Sequence, residues 1–214
     1  MTLIIYCHPS KKSHNYKILQ NVIQRLEKRK QKYEVLDLYD LKFDGYFKEV
    51  EYDRMRNRDR TLEKDVLEIQ KKITEARVLV FIYPTWWYNM PARLKGFFDR
   101  VFTNGFAYKF FKANKFMIFG ANLLSFIPGI RYLMQTISVT PLLKGKRAYI
   151  FRTYGGPKLG RRIFGNTQTV LENVILRFCG ITDIIIHELY NIDKSEFTQM
   201  KEEKYMKKID QMFG

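Results

Sequence analysis

Short, densely apolar runs recur along this chain, and most are followed by a segment whose apolar residues fall at helical spacing. Thr2 to Cys7 is the first run, closed by His8-Pro9. Tyr33 to Tyr39 alternates, and Arg77 to Tyr83 is almost wholly apolar and closed by Pro84. Lys146 to Arg152 and Ile181 to Leu189 complete the set. Continuous apolar runs of this length suit strands buried on both faces, as in parallel sheets. Between them, Ile18, Leu19, Val22, Ile23 and Leu26 mark a helix from about Ser13, and Leu62, Val66, Ile69 and Ile73 mark another. Pro91 suits the first turn of a helix running to about Phe102. Leu171 to Phe178 is the core of a further helix ended by Gly180, and Phe197, Met200, Ile209, Met212 and Phe213 mark a C-terminal one. Asp40 to Asn57 reads as irregular. The alternation predicts an α/β fold, a doubly wound five-stranded parallel sheet with helices on both faces. With no repeat and no linker rich in Pro, Gly or Ser, residues 1–214 are expected to form a single domain.

Composition narrows the class. Apolar residues make up 46% of the 214 and charged residues 28%, which excludes general disorder and low-complexity chains. No apolar run reaches the length of a spanning helix, and Met1 to Tyr6 lacks the basic region of a secretory leader. Cys7 and Cys179 lie in apolar segments and read as reduced thiols, so a cytoplasmic protein is expected. The net charge of +16 suggests an anionic partner: nucleic acid, an acidic membrane face or a phosphorylated ligand. Twelve basic residues and no acidic one fall between Arg100 and Leu171. A solvated basic surface explains this equally well. No pattern of an RNA-binding module or zinc finger occurs, so no nucleic-acid partner is expected. His and Cys are not at metal-ligand spacing, so no metal is expected, and His187 reads as structural.

Ligands of open parallel sheets bind outside the carboxyl ends of the strands. Three segments there stand out. His8-Pro9-Ser10-Lys11-Lys12-Ser13-His14-Asn15 offers hydroxyls, an amide and the N–H groups of a helix start, a natural anion site that Ser13 could cap. It contains neither a dinucleotide-binding glycine fingerprint nor a P-loop. Pro84-Thr85-Trp86-Trp87-Tyr88-Asn89-Met90-Pro91 carries both tryptophans of the protein, suited to stacking on a planar ring or to packing under the loop or at a subunit interface. Thr153-Tyr154-Gly155-Gly156-Pro157 lets backbone come close to a flat ligand, or is a plain turn. All three follow expected parallel strands on one edge. Phosphate cradle, aromatic cover and backbone donors are together what a flavin nucleotide needs, and the sheet order 2-1-3-4-5 places a flavin at this edge.

Residues 84–108 also resemble a known signature. Pro84, Trp86, Trp87, Pro91, Ala92, Leu94, Lys95, Gly96, Phe97, Asp99, Arg100, Val101 and Phe102, followed by Gly105-Phe106-Ala107-Tyr108, are similar to the pattern of the flavodoxin-like NAD(P)H:quinone oxidoreductases. His8-Pro9 with Ser13-His14-Asn15, Thr153 with Gly155-Gly156, and Phe178-Cys179-Gly180-Ile181 extend the likeness over nearly the whole chain. The resemblance implies a flavodoxin-like homodimer that binds FMN or FAD near the subunit interface and passes two electrons from NAD(P)H to a quinone or similar acceptor. By position, His8, Ser13, His14 and Asn15 would hold the phosphate end. Pro84, Thr85, Trp86, Trp87 and Tyr88 would line the ring, and Thr153, Tyr154, Gly155 and Gly156 would meet its pyrimidine side. A regulatory flavin-binding partner of a membrane transport protein and a flavodoxin-type electron carrier are the alternatives.

Two departures from that pattern matter. The Tyr and His that follow the Gly-Gly segment in the family fall on Arg161 and Thr167 here, so their role does not transfer. Lys158, Arg161, Arg162 or the amides near Gly155 could meet charge on a reduced ring instead. The stretch 109–143 is longer than in related chains, and Phe116 to Leu143 holds one charge, Arg131, with Pro128-Gly129 breaking it. This apolar insert could rest on an acidic membrane face, cover the cofactor as a lid or pack in a dimer.

Overall fold

The computed structural model describes residues 1–57, 59, 61–110, 115–124, 139–164, 169–192 and 199–212. Phe197, Phe213, Thr167, Pro128, Gly129 and Arg131 lie outside the described residues, as do the side chains of Met200, Arg161 and Arg162. Five parallel strands form the main sheet: β1 (Thr2–Tyr6), β2 (Tyr33–Asp37), β3 (Val78–Pro84), β6 (Arg147–Thr153) and β7 (Asp183–Leu189). Their order is β2-β1-β3-β6-β7, the expected 2-1-3-4-5 topology. A separate antiparallel pair, β4 (Tyr108–Phe110) and β5 (Val139–Pro141), closes the base of the insert, and α5 (Lys115–Leu124) lies within it.

Side chains of the strands alternate between two apolar cores, as period two requires. Leu3, Ile5, Leu79, Phe81, Tyr83 and Ile150 face α3 (Lys64–Glu75), α4 (Ala92–Val101) and α7 (Val170–Leu176). Ile4, Tyr6, Val80, Ile82 and Phe151 face α1 (His14–Lys28) and α8 (Gln199–Met212). Each fully buried aliphatic or aromatic side chain contributes roughly 1.5–3 kcal/mol, so a sheet covered on both faces is the state that removes most apolar area from water. Ser13 caps α1 by accepting from Tyr16 N–H at 3.1 Å, and α4 begins directly after Pro91.

Two sequence expectations change. Asp40–Asn57 is not wholly irregular: α2 (Glu49–Arg56) forms there without burying any residue. Periodicity is blind to such a helix, which is held at its start by Glu51 accepting from Lys48 N–H at 2.9 Å and by Arg100 donating to Glu51 at 2.8 Å. The segment read as an ordinary helix over 171–178 is π-helical over Val170–Leu176, and it buries Glu172 against Arg152. The remaining short helix, α6 (Lys158–Phe164), follows the third loop. Cys7 and Cys179 are buried free thiols, each pushed up to about 12 by burial. Among the described residues, no helix is long and apolar enough to cross a membrane.

One contact fixes where α4 sits. A Cβ on Gly96 would lie 1.9 Å from the carbonyl oxygen of Gly45, so the helix backbone rests directly on the loop after β2. Gly96→Ala should therefore destabilise the protein by about 3 kcal/mol through overpacking against backbone. The gain of about 1 kcal/mol that alanine brings inside a helix does not offset this. Urea unfolding followed by tryptophan fluorescence measures the difference.

Candidate functional site

The three loops leave the sheet side by side because their strands are neighbours in register. The ladder continues past the strand ends: Cys7 N–H donates to Ile82 O at 3.0 Å, Thr85 N–H to Thr153 O at 2.8 Å and Tyr154 N–H to Leu189 O at 2.8 Å. The second and third loops then enclose one cleft of about 210 Å³, lined by Thr85, Trp87, Tyr88, Tyr154, Gly155, Gly156, Pro157 and Tyr190.

Trp86 and Asn89 exchange two backbone hydrogen bonds of 3.0 Å, closing a tight turn with Trp87 at φ 51° and Tyr88 at φ 57°. Left-handed conformation at two bulky residues costs about 1–2 kcal/mol each, which Asn-Gly would avoid. The strain has a visible result. Trp87 is thrown to the cleft mouth with 98% of its surface exposed. The Tyr88 hydroxyl reaches α6, where a Cβ on Gly160 would come within 2.4 Å of it. Trp86 is 43% exposed, with its ring centroid 6.3 Å from that of His8, and Pro84 ends β3 in the core.

The first loop touches this edge without lining the cleft. Asn15 is buried, and its Nδ2 donates to Thr153 Oγ1 at 2.8 Å. Its Oδ1 is also buried and meets no hydrogen-bond partner among the described residues. His8 Nδ1 accepts from Ser10 N–H at 2.9 Å, and burial holds the ring below its ordinary pKa, so the imidazole is neutral at pH 7. Lys11 is paired with Asp37 and Asp40. His14 turns away from the edge, its Nδ1 lying 2.9 Å from Glu202 on α8. Lys158, at the start of α6, is exposed.

Several site residues escaped the sequence reading. Tyr190 directly follows β7, and the three loops follow only β1, β3 and β6. Arg152 and Glu188 come after apolar triplets or longer runs near the ends of their strands, and Glu172 stands in a largely apolar helix; charges so placed were the available signal. His187 stacks on Phe151, their centroids 5.7 Å apart.

A doubly wound sheet whose ligand cleft opens at the carboxyl ends of β3 and β6, beside the start of α1, defines a flavodoxin-type α/β protein. Residues 1–213 match the family described as having a flavodoxin-like fold, and the chain belongs to that family. An uncharacterized NAD(P)H oxidoreductase of Haemophilus influenzae is 32% identical over 186 residues, covering 85% of this chain and 79% of that protein. The NAD(P)H dehydrogenase [quinone] 1 of Cavia porcellus is 36% identical over 123 residues, covering 50% of this chain and 45% of its own length. The chain thus matches about half of that relative. Among solved structures, Smu.1420 of Streptococcus mutans superposes with a TM-score of 0.75 at 28% identity, over 100% of this chain and 98% of that one.

The contact of His14 with α8 makes that docking pH-dependent. Burial pushes the Glu202 carboxyl up, but hydrogen bonds from His14 and Lys17 outweigh it and hold the group below its ordinary 4.5. A carboxylate depressed in the folded state stabilises fully above its unfolded pKa and loses that contribution as pH falls through the folded value. Glu202→Gln should lower stability at pH 6 and leave it nearly unchanged at the acid end of that window. Urea denaturation at pH 6 and below pH 4 checks both.

Proposed function

We propose that this protein is a flavin-dependent NAD(P)H oxidoreductase that binds FMN or FAD and passes two electrons, as hydride, to a quinone or similar small acceptor. The observation that carries this reading is the single cleft formed by the Trp86-Trp87-Tyr88 turn and the Tyr154-Gly155-Gly156 loop, with Asn15 bonded to Thr153 beside it. The residues fit the group. A Cβ on Gly156 would meet nothing within 4 Å, which leaves room for a flat ring against backbone. The unpartnered Asn15 Oδ1 suits a hydroxyl of the chain between ring and phosphate. His8, Ser13 and the first turn of α1 would hold the phosphate end, where backbone N–H groups and the helix dipole favour an anion, while His14 is engaged by Glu202.

When bound, the flavin supplies the hydride chemistry, and the protein supplies position and electrostatics. Trp86, Trp87 and Tyr88 cover the ring and exclude water, while Thr85, Thr153, Tyr154, Gly155 and Gly156 orient its polar edge. Overall, NAD(P)H gives up a hydride, and a quinone that receives it takes one further proton from solvent to become the hydroquinone. The exposed cations of the acid-free stretch would draw the dinucleotide phosphates. The reading includes pairing of two copies, which would cover apolar side chains such as Phe116, Phe119 and Leu123 that α5 leaves exposed.

Heat release of the cofactor followed by chromatography tests the reading and separates FMN from FAD. NAD(P)H should bleach the flavin band in a stopped-flow trace, which an electron carrier of the flavodoxin type would not show. A colourless protein that takes up neither flavin overturns the proposal. Gly156→Val fills the open space without straining the backbone. It should weaken flavin binding about tenfold or more while the unfolding free energy of the apoprotein stays within about 0.5 kcal/mol of the parent's.

A further inference from the structure

Behind the cleft lies an ion cluster for which none of the three loops accounts. Arg152 is wholly buried near the end of β6. Its Nη1 and Nη2 donate to Glu172 at 3.1 and 2.9 Å, and Nη2 donates to Glu188 Oε1 at 3.0 Å. Glu188 stands opposite Arg152 in the β6–β7 register, so the pair lies on one face of the sheet. The same carboxylate accepts from two phenols, Tyr154 at 3.0 Å and Tyr190 at 2.7 Å. Those two rings are stacked, with centroids 4.5 Å apart and planes 13° from parallel, and both line the cleft.

Two physical consequences follow. Aromatic pairs prefer offset-stacked or edge-to-face arrangements, and the phenylalanines of this core are tilted or edge-on, as for Phe97 and Phe98 at 82°. Tyr154 and Tyr190, which donate to one carboxylate, are near-parallel, and the shared acceptor selects this stacked arrangement over the edge-on one. The second consequence is electrostatic. Among the described residues, one guanidinium faces two carboxylates, so these three groups together carry a formal charge of −1 where charge is less screened than in water. Burial raises the pKa of the Tyr154 phenol, so it faces Glu188 as a neutral donor.

We propose that Glu188 is a positioning residue for the ring site: anchored by Arg152, it holds Tyr154 and Tyr190 as one flat aromatic wall, and its charge sits one phenol's length behind the cleft, opposing negative charge on a reduced ring. This rests on the flavin reading above and deepens it. The wall fixes how the ring edge is seated, and the cluster sets how readily the ring accepts electrons.

The test uses the full-length protein, first as apoprotein and then loaded with FMN. Glu188→Gln keeps the shape but removes the charge. It should reduce the tyrosine signal in near-ultraviolet circular dichroism of the apoprotein and weaken FMN binding about tenfold, the equivalent of one lost charge-assisted hydrogen bond. It should also move the midpoint potential of bound FMN to a more positive value. Tyr190→Phe keeps the ring but takes a donor away from Glu188, leaving more of its charge felt, and should move the potential to a more negative value. Opposite shifts are the signature, because general loosening of the site gives no reason for a change of sign. Shifts of the same sign, or no shift in either variant, overturn the proposal. If Glu188→Gln does not fold, Tyr190→Phe decides alone, and an unchanged or more positive potential overturns it. If the parent protein binds no FMN, the function proposed above fails, and the dichroism arm still decides the wall: an unchanged apoprotein spectrum in Glu188→Gln overturns it.

Discussion

The parallel register of β1, β3, β6 and β7 is the constraint on which the rest of the molecule depends. Parallel strands begin and end together, so every segment leaving a carboxyl end must emerge on one rim. Here the hydrogen-bond ladder runs past the strands into Cys7, Thr85 and Tyr154. The loop backbones are thereby tied to the most buried part of the protein. A one-residue slip would turn Arg152 toward α1 and present Phe151 to Glu172, which the buried charges forbid.

Two further arginines, Arg100 buried and Arg93 half-buried, fix the elements around that rim. Arg100 is bonded to Glu51, Asp65 and the Asp44 carbonyl, and its guanidinium lies 4.6 Å from the centre of the Phe43 ring. Arg93 donates to the carbonyls of Leu38, Leu41 and Phe43. Both arginines project from α4, so that helix gathers the whole loop after β2, and Gly96 lets it approach closely enough to do so. Removing one partner from such a buried pair costs about 3–5 kcal/mol, more than any single apolar contact here supplies. The tight turn that carries Trp87 starts from β3 and runs straight into α4. The rigidity of that helix is what allows two residues to be held at positive φ.

Much of this was legible in the amino-acid order. Dense apolar runs such as Val78–Tyr83 announced buried parallel strands, and Ile18, Leu19, Val22 and Leu26 announced the helix that covers one face. Thr85, Trp87, Tyr88, Tyr154, Gly155 and Gly156 were placed together by one rule about strand ends, and they line one cleft. What periodicity missed has physical causes. The helix Glu49–Arg56 buries nothing, so it has no apolar stripe to detect. The π-helical turn over Val170–Leu176 differs from an α-helix in hydrogen bonding rather than in residue type. His14 looked like a ligand for phosphate by position alone, yet it pairs with Glu202, 188 residues away, and no local pattern encodes that contact.

The charge balance shows why composition speaks weakly about partners until burial is known. Twelve cations in an acid-free stretch suggested an anion-seeking surface. Arg100 and Arg152, two of the twelve, are buried in ion pairs with acids drawn from outside the stretch. Lys146 donates to the carbonyls of Thr74 and Ala76, and Arg147 pairs with Asp183. Four of the twelve thus serve the fold. At Arg152 the local balance even reverses, since two carboxylates surround one guanidinium. A positively charged chain can therefore present a negative cluster behind its ligand cleft. Long-range attraction of anions and the local field in the cleft are set by different residues, and among the described residues they carry opposite signs.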